Sequence, residues 1–189
     1  MSTLNYNQLA TEIHANSLKH GWWENKPSME HFLTLVVCEL AEAVEADRIG
    51  KVADITSFEQ RIQEPPSEHE AATYQQRYAY WFETYIKDTV ADELADAAIR
   101  LLDLAGAYNY NTNRVCLIYV VTKLNSFTEN IFAIMKDIIY YKYTLEERVN
   151  YALLQIEKLA EIYKIDLLWH IKHKMLYNAS RPYKHGKAY

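Results

Sequence analysis

The stretch "VVCELAEAVEADR", Val36–Arg48, decides how the chain is read. Val36, Val37, Leu40 and Val44, with Leu33 one turn earlier, recur at helical spacing and form one apolar side. Glu39 and Glu42 stand three positions apart, next to Leu35, Cys38 and Ala46, so the helix has no broad solvated face. Two carboxylates in such surroundings repel each other and lose hydration, and they need a cation or good hydrogen-bond donors.

Working outward, Ser28 caps this helix, which runs over Met29–Ile49 and stops at Gly50. A second stretch, "TVADELADAAIRLLDLAGAY", repeats the device: Val90, Leu94, Ala98, Leu101 and Ala105 form a stripe flanked by Glu93 and Asp96, again at i,i+3. If the two stripes face each other, four carboxylates converge on the rim of one groove. Hard oxygen ligands on rigid helices suit Mg2+ or Mn2+ and leave positions for water and phosphate. The plain alternative is a pair of solvated acidic faces, because either pair alone is common on exposed helices. A di-iron carboxylate bundle calls for E-x-x-H pairs, and no histidine of this chain supplies one beside these acids. Glu45, Asp47, Asp92 and Asp103 read as solvated or rim charges.

The remainder is helical too. A first amphipathic helix spans Leu4–Lys19, followed by the loop "HGWWENKPS". Residues 51–69, with Pro65 and Pro66, are the least regular, with a short helix around "SFEQRIQ". Helical patterns then cover Glu70–Lys87 and, after a polar break at Asn109–Asn113, Arg114–Tyr140 with a bend near Asn125 and Ser126. Thr144 and Glu147 stand at capping-box spacing before a last long helix running toward His173. Nothing alternates with period two. Half of the 189 residues are hydrophobic, and only four Gly and four Pro occur, which suits long helices. The expectation is an all-α, bundle-like single domain over 1–189.

A formal charge of -5 argues against a general nucleic-acid binder. No run reaches the roughly 18 apolar residues of a membrane span, and the first residues lack the apolar core of a signal peptide. A cytoplasmic protein is expected, with Cys38 and Cys116 as buried thiols. The end of the chain has the opposite sign: after Asp166 there is no Asp or Glu, while Lys172, Lys174, Arg181, Lys184 and Lys187 remain. Such an end supplies the counter-charge that an incoming polyphosphate requires, Arg181 as a planar fork and Lys174 as a point charge. A soluble tail is the ordinary alternative. Trp22 and Trp23 could stack on a nucleobase or plug the end of the bundle, with Asn16 and Lys19 one turn earlier near the same pocket.

"CELAEAVEADR" followed by "DELADAAIRLLDLA" resembles the E-x-x-E … E-x-x-D signature of the MazG-like, all-α nucleoside triphosphate pyrophosphohydrolases. "HANSLKHGWWENKPS" is similar to their lead-in loop, and "HKMLYNASRPYKHGKAY" to their terminal lysine–asparagine–arginine motif. The resemblance implies Mg2+-dependent hydrolysis (Mn2+ as a substitute) of a (deoxy)nucleoside triphosphate to the monophosphate and pyrophosphate. It implies a homodimer or homotetramer acting in nucleotide house-cleaning, with neither nucleic acid nor membrane as partner. Glu39, Glu42, Glu93 and Asp96 would be the metal ligands and catalytic carboxylates, with Glu42 or Glu39 orienting the attacking water. Lys174, Asn178 and Arg181 would contact the triphosphate, with Lys187 and Lys172 as further candidates and Asn16, Lys19, Trp22 and Trp23 at the nucleotide pocket. Two departures stand out: 51–88 and 111–171 are elaborations on the compact pattern, and 172–189 forms the basic, substrate-contacting tail. The competing expectations are a non-catalytic helical protein that binds a nucleotide or a partner in the same groove, and a purely structural oligomer.

Overall fold

The computed structural model describes residues 5–65, 73–112, 126–140 and 142–186. Among them are eight α-helices and no strand. In chain order these are α1 (Tyr6–Lys19), α2 (Met29–Arg48), α3 (Ile55–Gln63), α4 (Tyr74–Tyr85), α5 (Val90–Tyr108), α6 (Phe127–Ile139), α7 (Leu145–Ile162) and α8 (Leu167–Ala179). A tight turn over Tyr183–Gly186 follows. No helix among the described residues is long and apolar enough to cross a membrane.

The helix starts follow side-chain chemistry. Ser28 accepts from the His31 N–H, Asp54 from Ser57 and Thr89 from Asp92. Thr73, Ser126 and Thr144 form reciprocal capping boxes with Gln76, Glu129 and Glu147. Each satisfies backbone donors that the first helical turn leaves without partners.

α5 is the axis of the molecule, packing against α1, α2, α7 and α8, while α6 lies against α2 and α7. Its composition explains this position. Leu94, Ala95, Ala97, Ala98, Leu101, Leu102, Leu104 and Ala105 are all buried, so it is apolar on nearly every side. Gly106 lets α1 approach: a Cβ there would collide with the Ala10 carbonyl oxygen and lie 2.7 Å from the His14 Cβ. A second apolar cluster, Phe58, Tyr78, Phe82, Ile86 and Tyr177, joins α3 and α4 to α8. α8 is therefore held between the α5 core and the segment built from residues 51–88. One face of α7, including Val149, Ala152, Ile156 and Leu159, belongs to the main core.

Four sequence expectations are corrected. The last helix is not continuous from Thr144 toward His173 but breaks between α7 and α8. Lys164 takes a left-handed φ of 58°. The Ile165 N–H bonds back to the Ala160 carbonyl at 2.8 Å and Lys164 N–H to that of Glu161 at 3.2 Å, closing α7. Asp166 then caps α8 by accepting from Trp169 N–H. No glycine announces this stop, so the sequence pattern runs through it. Cys38 is exposed, because it leaves α2 on the side away from Leu40 and Val36. Asp92 and Asp103, read as solvated or rim charges, are buried: α5 is covered on the sides they occupy. Cys116, Lys187 and the helix expected over most of Arg114–Asn125 lie outside the described residues.

Candidate functional site

A cleft of about 300 Å³ opens between α2, α5 and α8, roofed by the loop after α1 and the turn after α8. α5 lines it with Glu93, Asp96, Arg100 and Asp103, while Asp92, one turn before Asp96, is fully buried beneath the lining. Glu93 faces α2.

Glu39, Glu42 and Glu93 come together: one carboxylate oxygen of each lies within 4.8 Å of the others. Glu39 and Glu93 are buried, and Glu42 is exposed at the edge. Asp96 lines the same cleft but turns to Lys174, whose Nζ is 2.7 Å from Asp96 Oδ2. Arg100 donates to Glu39 and so balances one charge of the group. Glu93 has no such partner. Its Oε2 is buried without a hydrogen bond, and so is Asp92 Oδ1. Burial, with Asp96, Asp92 and Glu39 nearby, pushes the Glu93 carboxyl up to about 9 despite Lys174. A buried carboxyl short of positive charge, among oxygen ligands from two rigid helices, fits a divalent cation such as Mg2+ or Mn2+, which would displace its proton.

Asp88, on the connection into α5, adopts a left-handed φ of 58° and bonds its N–H to Asp92 Oδ2 at 2.9 Å. Burial works against its ionisation, but Lys87, Lys51 and Lys174 outweigh that and hold its carboxyl below the usual value.

The basic end reaches the same cleft from α8. Lys174 and Asn178 lie one turn apart on one face of α8, and Arg181, just past its C-cap Ser180, joins them in the lining. Lys174 is buried, whereas Arg181 lies over the Tyr177 ring at 5.4 Å and Lys184 joins it in the lining. Asn178 Oδ1 is buried without a hydrogen-bond partner, an acceptor that a ligand donor could satisfy. Lys172 is exposed and outside the lining, as is Lys19.

The tail and the loop after α1 meet over the cleft. Lys184 N–H donates to the His20 carbonyl at 3.0 Å, and the Tyr183 hydroxyl donates to Glu24. The Tyr183 ring lies against Gly21, where φ is 78° and a Cβ would not fit. The His185 ring packs edgewise on Trp22 and His20. The two tryptophans have different places. Trp22 lines the cleft with Asn16, Asn25 and His31. Trp23 stacks on Phe32 and donates its indole N–H to Asp103 at 3.1 Å, anchoring the loop to α5. Asp103 also takes His14 Nδ1 at 2.7 Å and the Ser17 hydroxyl at 2.7 Å.

The structure brings Glu39, Glu42, Glu93 and Asp96, singled out by spacing, to one cleft with Lys174, Asn178, Arg181, Asn16 and Trp22, singled out by the basic end, the aromatic loop and the resemblance. Sequence reasoning missed Lys87, Asp88 and Arg100, whose roles come from loop geometry and helix pairing, and it undervalued Asp92 and Asp103. One signal was present: a polar residue at each turn of an all-round apolar helix marks a stripe with a purpose.

Neither protein-family models, curated proteins nor solved structures give a match to this chain.

Proposed function

We propose that this chain hydrolyses a nucleoside triphosphate, ribo or deoxy, between its α- and β-phosphates with the aid of Mg2+, as a relative of the MazG-like pyrophosphohydrolases. One observation carries the proposal. Three carboxylate oxygens from Glu39, Glu42 and Glu93 converge on a cleft that Arg181 and Lys184 also line. Anionic cation ligands and free-standing cations in one cleft match a metal-bound polyphosphate better than either matches a neutral ligand.

In this reading Glu39, Glu42 and Glu93 hold the ion. When bound, it neutralises phosphate oxygens and makes a coordinated water more acidic. The chain's own residues do the rest. Arg181 presents its guanidinium fork to phosphate oxygens, and Lys184 and Lys87 add point charges. Trp22, Asn16, Asn25 and His31 border the space for the nucleoside. The Glu42 carboxylate, exposed at the edge of the group, takes the proton as water attacks phosphorus. The P–O bond to the bridging oxygen breaks, pyrophosphate leaves, and the nucleoside monophosphate stays behind. The turn over Tyr183–Gly186, tied to His20 and Glu24, shields the reacting groups from bulk water. A cytoplasmic homodimer or homotetramer completes the proposal.

The test is product identification after incubation with each NTP and dNTP plus Mg2+. Monophosphate and pyrophosphate in equal amounts are expected. Orthophosphate as the direct product, or tight nucleotide binding without turnover, would overturn the reading and favour a non-catalytic nucleotide-binding protein.

A further inference from the structure

Lys174 occupies an unusual place for a residue expected to bind substrate. Its ammonium lies 2.7 Å from Asp92 Oδ2 and 2.7 Å from Asp96 Oδ2, and the residue is 4% exposed. The rings of Phe82 and Tyr177 lie 5.6 and 5.9 Å from Nζ, adding cation–π attraction. Withdrawing this lysine toward a phosphate would break two charge-assisted hydrogen bonds and leave the fully buried Asp92 without its cation. It is part of the fold.

Sharing Asp92 with it is a second set of hard oxygen ligands. Asp88, Asp92 and Glu93 each offer an oxygen within 4.8 Å of the others, and Glu93 is shared with the Glu39–Glu42 group. Asp92 Oδ1 and Glu93 Oε2 are buried there without partners. The connection into α5 and its first turn thus have the ligand chemistry for a second divalent cation, and the protein has placed a cation of its own against Asp92.

We infer that the Lys174 ammonium takes the place of a second divalent cation, leaving one ion at Glu39, Glu42 and Glu93 and making Asp96 a positioning residue for Lys174. The inference rests on the metal-site reading proposed above. Phosphate then falls to Arg181 and Lys184, which line the cleft without being buried.

The test counts bound Mn2+ by electron paramagnetic resonance of the free ion, without nucleotide. The wild-type chain is expected to bind about one Mn2+. Lys174→Met removes the ammonium, opens the second ligand set and raises the number to about two, and Lys174→Met/Asp92→Asn returns it to about one. In the Lys174 background, Glu93→Gln weakens Mn2+ binding by about a hundredfold or more, whereas Asp96→Asn, acting only through Lys174, costs about tenfold or less. Two ions in the wild type, or one in a folded Lys174→Met variant, would overturn the inference. If Lys174→Met does not fold, the comparison of Asp96→Asn with Glu93→Gln decides, and equal losses overturn it. No Mn2+ binding by the wild-type chain would overturn the metal-site reading itself.

Discussion

Arg100 holds Glu39 across the α2–α5 interface, with Nε 2.6 Å and Nη2 2.5 Å from the same carboxylate oxygen, Oε1. The pair crosslinks the two helices that carry the acidic steps and leaves the second oxygen of Glu39 to the cleft. Arg100→Met strands a buried carboxylate and is expected to destabilise the ion-free protein by about 2 kcal/mol. Mn2+ should then recover more stability in the variant than in the wild type. Urea denaturation with and without the ion measures both.

The Glu93 carboxyl gives a pH dependence. It releases its proton near 4.5 in the unfolded chain and near 9 when folded. Between these values the folded state holds a proton that the unfolded state lacks, so stability falls as pH rises. His170, pushed down to about 4 from 6.5 by burial, works in the opposite sense below 6.5. The clear window is therefore between about pH 6.5 and 9. There the melting temperature in chelator is expected to decline, and Glu93→Gln to flatten the decline.

The same proton competes with a divalent ion. Raising the pH through that window should tighten Mn2+ binding and release a proton on binding. Calorimetry in buffers of different ionisation enthalpy reads the proton directly. Binding that is independent of pH would place the ion elsewhere.

Gly106 is needed for close packing of α1 on α5. Gly106→Ala must push Ala10 and His14 aside and is expected to cost about 1–3 kcal/mol. The effect should appear in urea denaturation, while the remaining folded protein keeps its Mn2+ affinity.

Trp22 and Arg181 separate nucleoside from phosphate recognition. Trp22→Ala is expected to raise KM with kcat changed little, since its ring lines the cleft and packs on His185. Arg181→Gln should lower kcat/KM by about tenfold or more, the loss of a charge-assisted pair, with Mn2+ affinity unchanged. Steady-state kinetics alongside Mn2+ titration distinguishes the two.

Much of this was legible in the chain before folding. The 3.6-residue period of "VVCELAEAVEADR" and "DELADAAIRLLDLA" predicts two helices, and the capping residues Ser28 and Thr144 stand where helices begin, whereas Ser126, read as a bend, caps the start of α6. The i,i+3 acids stand out in apolar helices, with solvated acidic faces as the plain alternative until the fold buries Glu39 and Glu93. Other features were hidden. The α7–α8 break uses Lys164 in a left-handed conformation instead of a glycine. Asp103 looks like any surface acid until α1 and the tryptophan loop fold over it and supply three donor groups.

The sequence by itself determined that the chain is helical, which faces of α2 and α5 are apolar, and that acids interrupt them one turn apart. These follow from local backbone periodicity and the cost of burying charge. Only the tertiary structure decided which charges become partners. It gave Glu39 to Arg100 and set Lys174 between Asp92 and Asp96, leaving Glu93 without a cation of its own. Coulomb energies depend on distance and burial, and residues 61 positions apart, as Glu39 and Arg100 are, or 82, as Asp92 and Lys174 are, acquire both only when the helices pack.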